Sequence, residues 1–283
     1  MSNQLTKNDN ILNQFRADCE NCFGLCCVAL PYAKSADFAI DKDAGTPCQN
    51  LQSDYRCSIH KNLRKNGFRG CAVYECFGAG QKVSQVTYSG NDWRNYPELS
   101  KEMFEVYPIM QQLQEMLCYL NEALSLEEAQ PIYKDLHAAL EETEFLTNLS
   151  PKSILGLNVP AHRAIVNNLL QQTSELVRAQ VSPNKNLKKI RKGSDLIGAD
   201  LRGADLRGTD LRGVLLIAAD LRQADMRMTD LIGADFRDAD LSGANLTGSI
   251  FLTQAQINSA KGDHNTKLPP SLHTPHHWFK VSK

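Results

Sequence analysis

The chain has 283 residues, and its 31 lysines and arginines nearly balance 32 aspartates and glutamates, which leaves a formal net charge of −1. That balance argues against a protein that binds nucleic acid through its bulk charge. The first twenty residues hold no apolar core long enough for a signal peptide, and no run of about eighteen uncharged apolar residues could span a membrane. We therefore expect a cytoplasmic, multidomain protein without membrane association.

Cysteine is concentrated near the start of the chain, where eight of the nine cysteines lie. In a reducing cytoplasm structural disulfides are uncommon, and eight thiolates are the number that two four-sulfur metal sites need. Residues 1–96 are therefore predicted to form a loop-rich domain whose fold is stabilised by bound metal, because its own hydrophobic core is small. The predicted ligands are Cys19, Cys22, Cys26, Cys27, Cys48, Cys57, Cys71 and Cys76.

The expected metal is Zn²⁺, with iron or a 4Fe–4S cluster as the alternative, because both take four thiolates and the spacing does not separate them. The adjacent Cys26 and Cys27 more naturally serve two centres than one. That arrangement favours two interleaved sites, or one four-iron cluster with spare thiols. His60 follows Cys57 by three residues and could replace one thiolate as a metal ligand. The simpler interpretation is a histidine on the surface, or one that hydrogen-bonds to a metal ligand.

The cysteine block also resembles a known family. The segments CENCFGLCC, GTPCQNL, CSIH and CAVYEC are similar to the CxxCxxCC (YkgJ-type) family of zinc- or iron-chelating domains. The resemblance covers roughly residues 19–77 and implies that all eight cysteines there are metal ligands.

A helical region is predicted for residues 97–183, which are poor in glycine. Apolar residues spaced by three and four predict a first helix, with a break or kink at Pro108. The letters SLEE, which begin at Ser125, match a capping box and predict a second helix that runs to about residue 149. A third helix is expected over 161–179, and three such helices would form a small antiparallel bundle.

A short basic linker is predicted for residues 184–193. It could contact phosphate or an acidic partner, but it has no aromatic residue for base stacking, so a solvated linker is the simpler interpretation. Its basic residues are Lys185, Lys188, Lys189, Arg191 and Lys192.

Residues 194–253 can be written as twelve consecutive five-residue units without an insertion. The third position is always large and apolar, and the first is small or β-branched. The motif A(D/N)LxG resembles the pentapeptide-repeat family, which implies a right-handed quadrilateral β-helix with four pentads per coil and hence three coils. Residues 254–283 resemble the capping helix and tail of such solenoids. The expected fold class is therefore multidomain α+β.

Pentads four apart share one side of such a stack, so the outward positions of each side can be read from the sequence. Two sides carry Asp and Arg, whereas the first and the last carry aliphatic residues. We expect the helical region or a second copy of the chain to cover this apolar corner, so the predicted partner is a protein or a homodimer. Its residues are Ile197, Leu215, Ile217, Ile232, Ile250 and Leu252.

No phosphate loop, GxSxG or HExxH motif occurs, and no catalytic residue can be assigned. The favoured function is non-enzymatic, a cytoplasmic metal-binding adaptor whose repeats form an interaction scaffold. One alternative is a zinc- or Fe–S-dependent protein-modifying enzyme, as some relatives of the chelating domain are thought to be. Another is a DNA-mimic modulator of type II topoisomerase, as some pentapeptide-repeat proteins are, but three coils would be only roughly 15 Å tall.

Overall fold

The structure, a computed structural model, describes residues 14–181 and 194–279. The predicted basic linker, residues 184–193, lies outside the described residues. The chain divides into two compact units, one of Met1–Ser125 with Ile132–Leu169 and one of Leu126–Pro131 with Leu170–Lys283. Within the described ranges, no helix is both long and apolar enough to cross a bilayer.

Helices account for most of the regular structure. The α-helices are α1 (Leu25–Ala29), α2 (Arg69–Ala72), α3 (Ala79–Gln81), α4 (Ser100–Leu124), α5 (Tyr133–Thr147), α6 (Pro151–Leu155), α7 (Val159–Arg178) and α8 (Gln254–Ser259). A π-helix spans Lys82–Thr87. The 3₁₀ turns are Cys19–Asn21, His60–Asn62, Arg64–Asn66, Pro97–Leu99, Glu127–Ile132 and His276–Phe279.

Helix α4 is the central element of the first unit, and α5 and α6 pack against it. It stays α-helical through Pro108, so of the predicted break or kink at this residue the break is wrong. Val106, Tyr107 and Met110, on both sides of the proline, are fully or almost fully buried. Packing of this apolar face keeps the helix intact although proline removes one backbone hydrogen bond.

The predicted capping box at Ser125 is also wrong. Ser125 ends α4, and its hydroxyl donates to the carbonyl of Glu122 at 2.6 Å. A 3₁₀ turn follows, and α5 begins only at Tyr133. Pro131 lacks an amide hydrogen and disfavours the α conformation in the residue before it, which explains the delayed start of α5.

Side chains rather than regular elements hold the cysteine-bearing loops of the first unit. The indole of Trp93 donates to the carbonyl of Phe23 at 2.8 Å. The guanidinium of Arg94 lies 4.5 Å from the ring centre of Tyr55 and 4.8 Å from that of Trp93. The same guanidinium donates to the carbonyls of Gln52 and Ser53, so this cluster joins three stretches of loop.

The repeats in the second unit form a stack of coils with a period of twenty residues. Asp195 bridges to Leu215, and Leu215 bridges in turn to Asp235, both in parallel. Between bridges the chain turns, as where the carbonyl of Leu196 accepts from the amide of Ala199 at 3.1 Å. The residue before that amide, Gly198, has φ +65, as the third residue of a type II turn requires.

The predicted β-helix, and with it the α+β class, is wrong. The described residues contain no β-strand and no sheet, because each pentad contributes only one residue to an isolated bridge. The physical reason is that the turn uses the remaining residues of the pentad, so pairing cannot extend along the chain. The repeats form a stack of turns, and the structure around them is helical.

The interior of the stack holds the large third-position residues together with first-position alanines such as Ala219 and Ala239. Helix α8 begins at a capping box between Thr253 and Gln256. Later in the chain, the buried side chain of Trp278 packs into the hydrophobic core of the repeats. The end of the stack is therefore covered by residues that follow the last pentad.

Candidate functional site

One group of thiols lies around Cys27. The pKa of Cys71 is raised to about 12, mainly by burial and also by the nearby thiols of Cys27, Cys48 and Cys57. Burial also raises the pKa of Cys57, with contributions from Cys27 and Cys48. The amide of Cys48 donates to the carbonyl of Cys27 at 2.9 Å, which fixes the two loops side by side. We call Cys27, Cys48, Cys57 and Cys71 the first thiol group.

The remaining four cysteines form a second thiol group, Cys19, Cys22, Cys26 and Cys76. The pKa of Cys22 is raised to about 11, mainly by burial, with smaller contributions from Cys76 and Cys19. The pKa of Cys26 is raised by its hydrogen bond with Cys27 and then by burial, Cys22 and Cys76. Cys19 lies near Cys27 and Cys57 of the first group and near Cys22 and Cys76 of the second.

The two groups meet at Cys26 and Cys27, whose sulfur atoms are 3.9 Å apart. The pKa of Cys27 is lowered, first by its hydrogen bond with Cys26 and further by the ammonium of Lys42. The adjacent cysteines therefore face different sets of thiols. All nine cysteines are free thiols.

Lys42 is a functional candidate that the sequence analysis missed. Its side chain is buried, and the ammonium donates to the carbonyls of Val28, Asp43 and Thr46 at 3.1, 3.1 and 2.9 Å. It places a positive charge beside the first thiol group, where it offsets thiolate charge. In the sequence it stands between two aspartates, a pattern typical of a solvated surface, so no signal marked it.

The donor set of each thiol group fits Zn²⁺ or iron, since both metals accept four thiolates. In the part of the chain that the structure describes, however, no three His, Cys, Asp or Glu side chains are close enough together to hold an ion. His60 is exposed on its 3₁₀ turn, with its backbone amide bonded to the carbonyl of Cys57. Metal binding at these cysteines stays a prediction.

The predicted apolar corner of the repeats divides into an exposed and a covered part. On the first side, Ile197 is 53% exposed and Leu215 37% exposed, while Ile217 is half-buried. On the fourth side, Ile250 and Leu252 are buried, and Ile232 is half-buried. The first side therefore leaves two aliphatic side chains in contact with solvent.

The end of α7 covers the fourth side. Arg178 donates through Nε to the carbonyl of Gly208 at 3.0 Å. Ser174 hydrogen-bonds to the carboxyl of Asp230, whose pKa burial raises. Asp230 also faces the guanidinium of the buried Arg212, at 3.5 Å. Polar side chains that would otherwise be solvated are thus enclosed between the helix and the repeats.

The second and third sides carry a ladder of exposed ion pairs. Arg202 pairs with Asp200 at 2.8 Å within its own pentad and with Asp220 of the next coil at 3.3 Å. Arg222 repeats the pattern with Asp220 at 2.6 Å. Each exposed pair contributes little by itself, but the ladder gives these two sides a solvated, charged surface.

Comparison with known proteins agrees with the repeat pattern. The family model for pentapeptide repeats matches residues 192–213 and 215–251, in 8 copies. A crystal structure of a pentapeptide repeat protein from the thylakoid lumen of Arabidopsis thaliana is 26% identical, with a TM-score of 0.16. That match covers 29% of this chain and 58% of the plant chain, less than two thirds of its length.

A longer match is to the uncharacterized protein YybG of Bacillus subtilis (strain 168). The two chains are 67% identical over 278 residues, which cover 98% of this chain and 100% of YybG. Pentapeptide repeats often mediate protein interactions. The chain therefore carries a pentapeptide-repeat module and belongs to the same protein family as YybG.

Proposed function

We propose that this protein is a metal-binding adaptor. Its first unit holds two metal ions through the two thiol groups, and its repeat stack presents a protein-binding surface. The proposal is supported by the eight free thiols in the loops of the first unit and by the 3.9 Å approach of the Cys26 and Cys27 sulfur atoms. A bound ion would cross-link the loops of the first unit and contribute folding free energy.

Metal analysis of single-cysteine variants tests the metal-binding part. Protein purified without oxygen is expected to contain about two Zn²⁺ per chain, since eight thiolates make two closed sites. Cys71→Ser in the first group and Cys76→Ser in the second are each expected to lose about one ion, and the double variant both. Cys118→Ser on α4 is the control. Brown protein with iron and labile sulfide would assign a cluster instead of zinc.

The protein-binding part is supported by the first side of the stack, where Ile197 and Leu215 stay exposed. The double substitution Leu215→Asp with Ile217→Asp is expected to abolish self-association or the capture of a specific partner. Both are measured by light scattering and by cross-linking mass spectrometry. Arg202→Ser with Arg222→Ser on the charged second side is the matched control. Unchanged mass and unchanged cross-links in the aspartate variant would rule out this surface.

A further inference from the structure

A cavity of about 450 Å³ lies in the first unit. Its walls come from the chain around Asp18, from the π-helix Lys82–Thr87, from α4 and from the end of α5. This volume falls within the range of roughly 300–1,000 Å³ that small-ligand pockets occupy. A π-helix is rare and is often found at functional sites, and this one contributes Lys82, Gln85 and Val86 to the wall.

A buried carboxamide lines the cavity. Gln114 is only 7% exposed, although it stands on α4 among apolar residues such as Leu113 and Leu117. Among the described residues no hydrogen bond reaches its side chain, and both its oxygen and its nitrogen need partners. The carboxamide of Gln114 lines the cavity and can therefore bond to a molecule held there. A ligand that supplies one acceptor and one donor would satisfy this group.

Further carboxamides line the wall, and hydrogen bonds hold them in place. Gln81 accepts from the amide of Asp18 at 3.2 Å and donates to the carbonyl of Arg16 at 2.8 Å. Gln85 donates to the carbonyl of Asn21 at 2.9 Å. These groups are oriented before any ligand arrives, which lowers the entropic cost of binding.

The charges around the cavity select among ligands. Lys82 donates to the side chain of Asn148 at 2.7 Å, and Asp18 and Glu144 bring two carboxylates. The carboxyl of Asp18 stays ionised because its hydrogen bond with Asn21 lowers its pKa. Two carboxylates against one ammonium disfavour an anion such as a phosphate ester or a nucleotide. They favour a neutral or positively charged ligand.

We infer that this cavity binds a short stretch of peptide chain with zero or positive charge. Each peptide unit offers one donor and one acceptor, the same pair that a carboxamide needs. Gln114 would satisfy one peptide unit, and Gln81 and Gln85 would flank it. Phe15 and Leu117 add apolar side chains to the wall, against which small side chains of the peptide would pack. The site is independent of the metal ions proposed above.

Titration of the full chain with triglycine and with acetyl-triglycine-amide, followed by NMR, tests this inference. Both probes are expected to shift amide resonances of Lys82–Thr87. Equal affinity would identify an internal peptide segment as the ligand, and tighter binding of free triglycine would identify an amino terminus near Asp18 or Glu144. Absence of any shift at millimolar concentrations would overturn the inference.

Gln114→Leu is expected to weaken binding about tenfold, the equivalent of one hydrogen bond to a buried group. Gln112→Leu, on the same helix but outside the cavity, is the matched control and should bind like the wild type. Gln85→Ala at the exposed rim is a second variant in case Gln114→Leu does not fold. If Gln114→Leu and Gln85→Ala both bind triglycine within twofold of the wild type, the cavity is not the peptide site.

Discussion

The ring of Trp278 lies directly against Gly262, where an added Cβ would sit 2.6 Å from the indole carbon Cε3. The same indole donates through Nε1 to the carbonyl of Ala260 at 3.0 Å. A methyl group at position 262 would therefore push the ring away from both its packing and its hydrogen bond. This contact fixes the segment that covers the end of the repeat stack.

We predict that Gly262→Ala destabilises the second unit by about 1–3 kcal/mol, the usual cost of overpacking a filled site. Urea unfolding followed by Trp fluorescence measures the change. Gly156→Ala is the control, because its Cβ would meet its nearest neighbour at an ordinary 3.5 Å. A Gly262→Ala protein as stable as the Gly156→Ala protein would show that the ring can move aside without cost.

A second prediction concerns the last residue of the first eleven pentads, which takes a left-handed conformation even where it is not glycine. Ala218 has φ +55, and Gly213, at the same position of the preceding pentad, has φ +63. Left-handed backbone costs a non-glycine residue roughly 1–2 kcal/mol. Gly213→Ala is therefore expected to lose about 1 kcal/mol, since nothing lies within 4 Å of its Cβ to compensate.

Ala218→Gly is expected to shift stability in the opposite direction, by up to about 1 kcal/mol, after the greater flexibility of unfolded glycine is subtracted. Denaturant midpoints of the two variants provide the measurement, with the wild type between them. If both substitutions shifted the midpoint in the same direction, backbone conformation would not be the controlling factor at this position.

The third prediction concerns Lys42. Replacement by Met keeps most of the length of the side chain but removes the three hydrogen bonds that the ammonium donates to the carbonyls of Val28, Asp43 and Thr46, which should destabilise the first unit by about 1–3 kcal/mol. Lys61→Met, at an exposed position, should have little effect. Thermal unfolding with a reductant and a chelator separates this effect from metal binding. Equal melting temperatures for the two variants would contradict the assigned role.

The fourth prediction is a loss of stability in acid. Hydrogen bonds from Arg202 lower the pKa of Asp200 from 3.8 to about 2, and Arg222 lowers the pKa of Asp220. A carboxyl whose pKa falls on folding stabilises the fold above its unfolded pKa, and that contribution disappears as the pH falls. The melting temperature of the second unit should therefore drop between about pH 4 and pH 2.

Arg222→Gln should reduce this acid sensitivity, because Asp220 then loses its main partner. High salt should weaken it in the wild type as well, since the pairs are exposed. Circular dichroism melts at several pH values provide the measurement. A melting temperature with the same pH dependence in Arg222→Gln and in the wild type would show that the ladder does not contribute.

The twenty-residue period of the stack was predicted correctly through the resemblance to the pentapeptide-repeat family, which implies four pentads per coil. That resemblance did not predict the absence of strands. Composition alone cannot tell how much of a pentad the turn uses, and that depends on the left-handed residue at its end. Where that residue is Ala218 rather than glycine, the conformation is imposed by the coils above and below.

Helices near residues 100–124 and 159–178 were correctly predicted from apolar spacing. The arrangement of the thiols could not be predicted from the sequence, because it depends on loops whose residues show no hydrophobic periodicity. Cys48 reaches Cys27 through a backbone hydrogen bond between segments twenty-one residues apart, and Lys42 is buried because three carbonyls converge on it. Contacts of this kind are set by tertiary structure, and local sequence carries no signal for them.

The single bridge in each pentad also governs how the stack can change length. A deletion of five residues would rotate every later pentad by one side, so that residues of a different side would come to lie beneath the end of α7. A deletion of twenty residues would remove one whole coil and return every side to its original neighbours. Insertions and deletions in this module should therefore be tolerated in multiples of four pentads, and each such step would change its height by one coil.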